Sequence, residues 1–275
     1  MSRRTILITG CSSGIGLAAA RTLKARGWRV LATARKPEDL ARLEKEEGVE
    51  ALHLELADPA SVAACAEEAL KRTDGNLDAL FNNAGFGQVG AVEDVTSDIL
   101  RRQLEINVVG THELTRRILK VMRANGRGRI VQCSSVLGLV SGPYRGAYCA
   151  SKFALEALSD SLRLELRDTA VRVSIIEPGP IRSRFVESAL ANFKATIDID
   201  GSPHRQTYLA RLAVMEAGGK TTFKLEPEAV AGKLVHAVES ARPKTRYFVT
   251  TPTYLAAILK RVLPTPLLDR FLIGM

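Results

Sequence analysis

Tyr148 and Lys152 stand four residues apart in Gly-Pro-Tyr-Arg-Gly-Ala-Tyr-Cys-Ala-Ser-Lys-Phe, residues 142–153, where a long helical pattern opens. On a helix the two side chains share one face, a turn from each other. A free tyrosine titrates near ~10 and is a poor acid or base at neutral pH. An ammonium one turn away favours the phenolate and is expected to lower that pKa. The tyrosine would then be a usable general acid or base. Alone, the pair is common on helices and carries little weight. The elements around it decide.

Helical periodicity continues past Lys152 with an apolar stripe, Leu155, Leu158, Leu162 and Leu166, and a second one, Phe153, Ala157 and Leu164. Such a helix is expected to bury one side on a sheet and the other on a neighbour or partner subunit. Strands are predicted on either side of it. Arg129–Cys133 ends at Ser134-Ser135, and Val171–Ile176 ends at Glu177-Pro178-Gly179-Pro180.

The first strand, Thr5–Thr9, runs into Gly10-Cys11-Ser12-Ser13-Gly14-Ile15-Gly16 and then into a helix, Leu17–Arg26. Gly10 suits a tight turn, Gly14 lets backbone approach a ligand, and Gly16 lets the helix pack on the strand. The helix N-terminus offers N–H groups to a pyrophosphate. After the second strand, Trp28–Ala34, no acid stands where one would hold the ribose 2′-hydroxyl of NAD; Arg35 and Lys36 stand there, with Glu38 and Asp39 on the next helix. Arg35 suits a 2′-phosphate by charge and by bidentate hydrogen bonding, so NADP(H) is the expected cofactor.

Further strands are predicted at Glu50–Leu56, Asp78–Phe81 and Thr245–Val249, and helices at Pro59–Arg72 and Pro227–Glu239. Ser97–Arg123 reads as one long helix with Asn107 in its middle, a poor residue there, serving either as an ordinary polar face residue or as an interruption. Ile181–Leu225 has weaker periodicity and reads as a lid of short helices and loop. Its Phe185, Leu190, Phe193, Ile197 and Tyr208 either line an apolar substrate site or pack the lid itself. Tyr254–Val262 reads as a short amphipathic helix and Pro264–Phe271 as an apolar tail. Strands alternate with helices throughout. The expectation is one α/β domain over residues 1–275: a single-domain Rossmann fold, doubly wound, with a parallel sheet of about seven strands and helices on both faces. Residues 181–225 form its lid insertion and 252–275 its C-terminal amphipathic tail.

At 275 residues, 46% hydrophobic and 25% charged, the composition is that of a globular protein needing no staple. Cys11, Cys65, Cys133 and Cys149 form no CxxC pair and no zinc spacing, so reduced thiols, a cytoplasmic location and no metal are expected. The net charge of +9 is scattered in pairs such as Arg101-Arg102 and Arg116-Arg117. A solvated basic surface is favoured over nucleic-acid binding. Ser2-Arg3-Arg4 imitates an export signal, but Gly10–Gly16 cuts the apolar stretch short, and none is read. No apolar run reaches the ~20 residues of a membrane span. Residues Tyr254 to Phe271 mix leucines with Lys260, Arg261 and Arg270 and could lie on a bilayer; packing at the substrate mouth or a subunit contact is preferred.

With Thr9–Gly16, Asn82-Asn83-Ala84-Gly85, Asn107, Ser135 placed 13 positions before Tyr148, Tyr148-x-x-x-Lys152 and Pro178-Gly179, the chain resembles the short-chain dehydrogenase/reductase family. Cys11-Ser12-Ser13, Phe81–Gly87, Glu177–Ile181 and Arg242–Tyr247 are most similar to its subgroup of hydroxysteroid and retinol dehydrogenases and bacterial NADP-dependent aldehyde reductases. The resemblance implies that Tyr148 gives the proton in reduction and takes it in oxidation. Lys152 would bond the nicotinamide ribose and depress the tyrosine pKa. Ser135 would hydrogen-bond the substrate oxygen, and Asn107 would hold a relay water. Gly10, Ser12, Ser13, Gly14, Ile15 and Gly16 would line the pyrophosphate and nearby ribose, and Arg35 would take the 2′-phosphate. Glu55 and Leu56 would lie by the adenine, and Asn83, Ala84 and Gly85 by the adenosine half. Pro178, Gly179, Ile181 and Ser183 would lie by the nicotinamide. Glu55 replaces the family's usual aspartate and Ser183 its usual threonine, which weakens those two assignments. The implied activity is NADPH-dependent reduction of an apolar aldehyde or ketone. Alcohol oxidation is the alternative, and a non-catalytic NADP-sensing module the second. A homodimer or homotetramer through the 97–123 and 151–168 helices is also implied.

Overall fold

Seven short apolar runs form one parallel sheet in the computed structural model, which describes residues 3–217 and 222–273. The strands are β1 (Thr5–Ile8), β2 (Arg29–Ala34), β3 (Glu50–His53), β4 (Ala79–Asn82), β5 (Gly128–Cys133), β6 (Val171–Glu177) and β7 (Arg246–Phe248). Their order is β3-β2-β1-β4-β5-β6-β7, so the winding reverses between β1 and β4. A crevice opens at the carboxyl ends of strands where such a reversal falls.

Alternation along each strand sends side chains to two separate cores. Ile6 and Ile8 join the core under α1 (Gly14–Ala25) and α9 (Glu228–Glu239), while Leu7 joins the one under α3 (Pro59–Arg72) and α5 (Thr111–Ala124). α2 (Pro37–Arg42) follows β2, and α6 (Gly146–Glu165) carries Tyr148 and Lys152. Leu155 and Leu166 are buried, but Phe153, Leu158 and Leu164 are exposed, so the expected first stripe is broken at Leu158.

The single long helix expected over 97–123 is interrupted. α4 (Ser97–Leu104) and α5 are joined by a π-helical segment, Glu105–Gly110, with Asn107 at its heart. Such widened turns accompany a side chain or backbone group that needs a partner off the helix. Here Asn107 bonds the backbone of Phe86, and Gly110 is pressed on the Leu56 carbonyl, where a Cβ would meet the oxygen at 2.1 Å.

The region after β6 holds α7 (Phe185–Thr196) and α8 (Arg205–Glu216), the short helices expected of the lid; its residues 218–221 lie outside the described residues. The C-terminal part is two helices, α10 (Thr251–Val262) and α11 (Thr265–Ile273). The expected apolar tail is therefore helical, and its Leu268, Phe271 and Leu272 pack with Val136, Leu137 and Tyr148. No helix among the described residues is long and apolar enough to cross a membrane.

Candidate active site

The glycine turn is shaped by close approach. Gly10 and Gly14 have φ of +73° and +58°, a region L side chains rarely adopt. A Cβ on Gly16 would sit 2.2 Å from the Gly10 carbonyl oxygen, and one on Gly14 would sit 2.9 Å from Ser183 Cβ. The turn therefore closes on itself and on the base of the lid. Thr9 stitches it to the loop after β4: its hydroxyl accepts from the Asn83 and Ala84 N–H groups, each at 2.9 Å. Asn83 Nδ2 donates back to the Thr9 and Gly10 carbonyls at 2.9 and 3.2 Å. Asn83 is thus a brace for the turn.

Ser13 begins α1 in extended backbone without a side-chain cap, and the first turn of α1 holds no acid. An anion is stabilised at such a helix start. A nucleotide pyrophosphate fits this cradle, whose close packing on Ala84, Ser183 and Asn83 leaves no room for a Cβ at Gly10, Gly14 or Gly16.

Arg35 leaves the end of β2 largely exposed, 3.6 Å from the Glu55 carboxylate. A basic residue that sequence reasoning missed joins it: Arg42 Nη2 donates to the Ser12 carbonyl at 2.6 Å and pairs with Asp39 at 3.1 Å. Its signal was faint, since Arg42 lies seven positions after Arg35 on the helix that follows β2. The buried side chain of Leu56 belongs to the core under α3 and α5, which leaves only its backbone for any ligand.

Ser135 and Tyr148 meet at the carboxyl end of β5. Ser135 caps a 3-10 turn, accepting from Leu137 N–H at 3.1 Å. Burial pushes the Tyr148 phenol above its ordinary value, and the Ser135 hydroxyl pulls it partly back. The expected net lowering is therefore not found, since burial outweighs the charges around the phenol. Lys152 is itself buried, its Nζ donates to the Cys133 carbonyl at 2.8 Å, and desolvation pushes it toward the neutral form. Its Nζ stands 5.7 Å from the centre of the Tyr148 ring. Cys133 contributes its carbonyl to this contact, and burial pushes its thiol upward.

Asn107 is fully engaged by protein. Oδ1 accepts from Phe86 N–H at 3.1 Å, and Nδ2 donates to the Phe86 carbonyl at 2.9 Å and to Ser151 Oγ at 3.1 Å. Ser151 Oγ in turn donates to the Tyr148 carbonyl at 2.8 Å. Ser151, absent from the sequence-based set, thereby links the π-helical segment to the turn of α6 that carries Tyr148. Gly85 packs against the Asn107 amide, where a Cβ would lie 3.0 Å from Oδ1.

Pro178 accepts from Val136 N–H at 2.8 Å, which ties the turn after β6 to that after Ser135. Gly179 abuts Thr250 and Thr253, with room for no Cβ. Ile181 is buried and forms a bridge to Leu225 at the foot of the lid. In the lid, Phe193, Ile197 and Tyr208 are buried with Ala91 and are packing residues. Leu190 lines a cavity of about 420 Å³ together with Ile181, Ser183 and Val186 and the charged Glu187, Lys194 and Glu216. Phe185 lies over Tyr148, ring centres 5.6 Å apart.

A doubly wound sheet, an anion cradle at the strand reversal and a tyrosine–serine–lysine group at the next strand end define a nucleotide-dependent oxidoreductase. The family described as short chain dehydrogenase matches residues 4–193 of the sequence, and the chain belongs to it. It is an oxidoreductase that acts on CH–OH and C=O groups with a nicotinamide cofactor. It is 44% identical over 272 residues to the uncharacterized oxidoreductase YbbO of Escherichia coli K12, covering 99% of this chain and 95% of that one. It is 36% identical over 279 residues to human 17-beta-hydroxysteroid dehydrogenase type 1, covering 95% and 82%. A short-chain dehydrogenase from Streptomyces avermitilis superposes with a TM-score of 0.79 at 30% identity, covering 98% of this chain and 94% of that one.

Proposed function

We propose that the chain is an NADP(H)-dependent reductase of aldehydes or ketones of apolar character. The observation that carries the chemistry is the partly buried Tyr148 phenol beside Ser135 at the end of β5, a protonated group placed to give a proton to a carbonyl oxygen. Ser135 is assigned the substrate oxygen, where a hydroxyl donor stabilises the charge that develops as the carbonyl is reduced. Lys152 supplies fixed positive charge and binds the nicotinamide ribose. The cofactor, when bound, supplies the hydride. Asn107 is assigned to positioning, because its amide is spent on Phe86 and Ser151; any relay water would use its backbone.

The preference for NADP(H) rests on Arg35 at the end of β2, 3.6 Å from Glu55, and on Arg42, whose guanidinium bonds the Ser12 carbonyl of the glycine turn. Gly10 to Gly16 hold the pyrophosphate, Glu55 and Leu56 border the adenine, and Asn83 to Gly85 run along the adenosine half. Pro178, Gly179, Ile181 and Ser183 flank the nicotinamide. Residues 181–225 act as the substrate lid, with Phe185 and Leu190 as its substrate-facing side chains. A cytoplasmic homo-oligomer is the matching assembly.

The test is NADPH consumption against aliphatic and aromatic aldehydes, ketosteroids and retinal, with NADH in parallel. Turnover of several carbonyls with NADPH and little with NADH supports the reading. Unchanged turnover in Tyr148→Phe sinks it. Oxidation of a hydroxysteroid is the second reading, favoured by the likeness to the human enzyme named above, and the reverse assay with NADP⁺ separates the two.

A further inference from the structure

Glu156 follows Lys152 by one helical turn on α6, and both side chains are buried. Glu156 belongs to a charged cluster that neither the glycine turn nor the Tyr148–Ser135 pair uses. At its centre is Arg246, on β7. Its Nη1 donates to Glu156 Oε2 and, at 2.6 Å, to Glu177 Oε1; its Nη2 donates to Asp160 Oδ2 at 2.6 Å. Glu177 is fully buried and closes β6 immediately before Pro178-Gly179. One guanidinium therefore joins the catalytic helix, the strand that leads to the nicotinamide side of the crevice, and the last strand of the sheet.

The carboxyl groups of Glu156, Asp160 and Glu177 face the Arg246 guanidinium; Arg163 also pairs with Asp160 at 3.2 Å, and Lys152 on α6 and Lys260 on α10 border the cluster. Ser134 and Gly138 close the space around Glu156: a Cβ on Gly138 would lie 2.5 Å from Ser134 Oγ and 3.2 Å from Glu156 Oε1. Glu156 thus has little room to move, and its carboxylate is directed by the fork of Arg246. Besides Glu156, Lys152 faces the Cys133 carbonyl and the Tyr148 ring.

We propose that this Arg246-centred cluster positions Lys152: Glu156 supplies the negative charge that faces the buried ammonium from the next turn, and Arg246 holds that carboxylate in place from the last strand. The proposal rests on the role given to Lys152 above. Burial alone drives a lysine toward its neutral form. In this site Cys133 and then Glu156 oppose that drive; burial raises the Glu156 carboxyl in turn, and Ser134 and Arg246 pull it back toward its charged form. A lysine that lost its proton would lose its fixed charge beside Tyr148. Arg246 and Glu156 are positioning residues, since neither touches the reacting atoms.

The experiment is the pH dependence of kcat/KM for carbonyl reduction with NADPH, in the wild type, Glu156→Gln, Glu156→Asp, Arg246→Lys and Lys152→Ala, each with a thermal melt. Gln is isosteric and leaves Arg246 paired with Glu177 and Asp160. Glu156→Gln is expected to move the alkaline limb of the profile down by on the order of one pH unit, with Glu156→Asp restoring most of it. Arg246→Lys, which keeps the charge but loses the fork, moves the limb the same way by less. A profile that falls equally at every pH with its limb unmoved overturns the proposal, as does an unchanged profile. If Lys152→Ala is inactive while the limb of Glu156→Gln is unmoved, this proposal alone fails. If Lys152→Ala keeps full turnover, the role of Lys152 and this proposal fall together.

Discussion

Lys152 reaches past Tyr148 to the end of the neighbouring strand: its ammonium donates to the Cys133 carbonyl at 2.8 Å while standing 5.7 Å from the tyrosine ring centre. It acts on the phenol as a charge held at a distance. Burial dominates the phenol, which is raised above its ordinary value. The two reaction directions should therefore respond to pH oppositely. Reduction uses the protonated phenol and is expected to be nearly level from pH 6 to 8. Oxidation uses the phenolate and is expected to rise by up to about tenfold per pH unit over the same range. Parallel initial-rate profiles in both directions check this; oxidation that is level in that range contradicts the assignment of Tyr148 as its base.

Arg35 and Arg42 make a prediction about cofactor choice. A hydrogen bond to a charged group is worth about 1.5–3 kcal/mol, so Arg35→Ala should raise the KM for NADPH by roughly 10- to 100-fold. Kinetics with NADH should change little. Arg42→Ala should weaken NADPH by less, because Arg42 is shared with Asp39 and the Ser12 carbonyl. Arg35→Ala with unaltered NADPH kinetics would place the 2′-phosphate elsewhere.

Much of this layout was legible in the residues, for reasons that differ from element to element. The strand–glycine–helix unit at Thr5–Gly16 is local: its turn needs backbone geometry and close approach that glycine provides. Tyr148 and Lys152 share a turn of one helix, so their spacing is written in the sequence. The π-helical segment at Asn107 was not legible, because its cause is Phe86, 21 positions away. Arg42 and Ser151 were missed for the same reason, their partners being set by tertiary packing. The pKa direction of Tyr148 failed because a sequence shows which charges are near but hides how dry the site is. Glu156, Glu177 and Arg246 likewise meet only when β6, β7 and α6 pack.

Glu177 carries a pH prediction for stability. Burial, with Glu156 adding to it, pushes its carboxyl up to about 8. In the unfolded chain a glutamate titrates near ~4.3. Between those values the folded state holds a proton that the unfolded state has released, so stability falls as pH rises through that window. One such group contributes a slope of up to ~1.4 kcal/mol per pH unit. Glu177→Gln should flatten the urea-midpoint profile between pH 5 and 8. An unaltered slope would mean that Glu177 is ionised in the folded protein.

Asn107 is expected to act through the loop it holds. Asn107→Ala leaves the Phe86 N–H without its partner, while the Phe86 carbonyl keeps Gln103 Nε2 and the Ser151 hydroxyl keeps the Tyr148 carbonyl; a buried group left unpaired costs about 1–3 kcal/mol. The melting temperature should fall together with kcat. Asn107→Asp keeps the acceptor for the Phe86 N–H and should recover part of both. Full stability in Asn107→Ala would show that the loop is held by other contacts.

Phe185 and Gly87 form a testable pair above Tyr148. A Cβ on Gly87 would lie 2.7 Å from Phe185 Cζ, and the Phe185 ring stacks obliquely on Tyr148. Gly87→Ala should therefore push the phenyl ring off its seat, whereas Phe185→Ala removes the ring altogether. Both are expected to raise KM for apolar carbonyls by roughly three- to thirtyfold, the loss of about 1–2 kcal/mol of apolar contact. The two effects should not add, because the alanine methyl group meets nothing once the ring is gone. The double variant should then resemble Phe185→Ala alone, a coupling that a double-mutant cycle measures directly. Additive effects would mean that Gly87 matters for the backbone of the 84–90 loop and that the phenyl ring contributes independently.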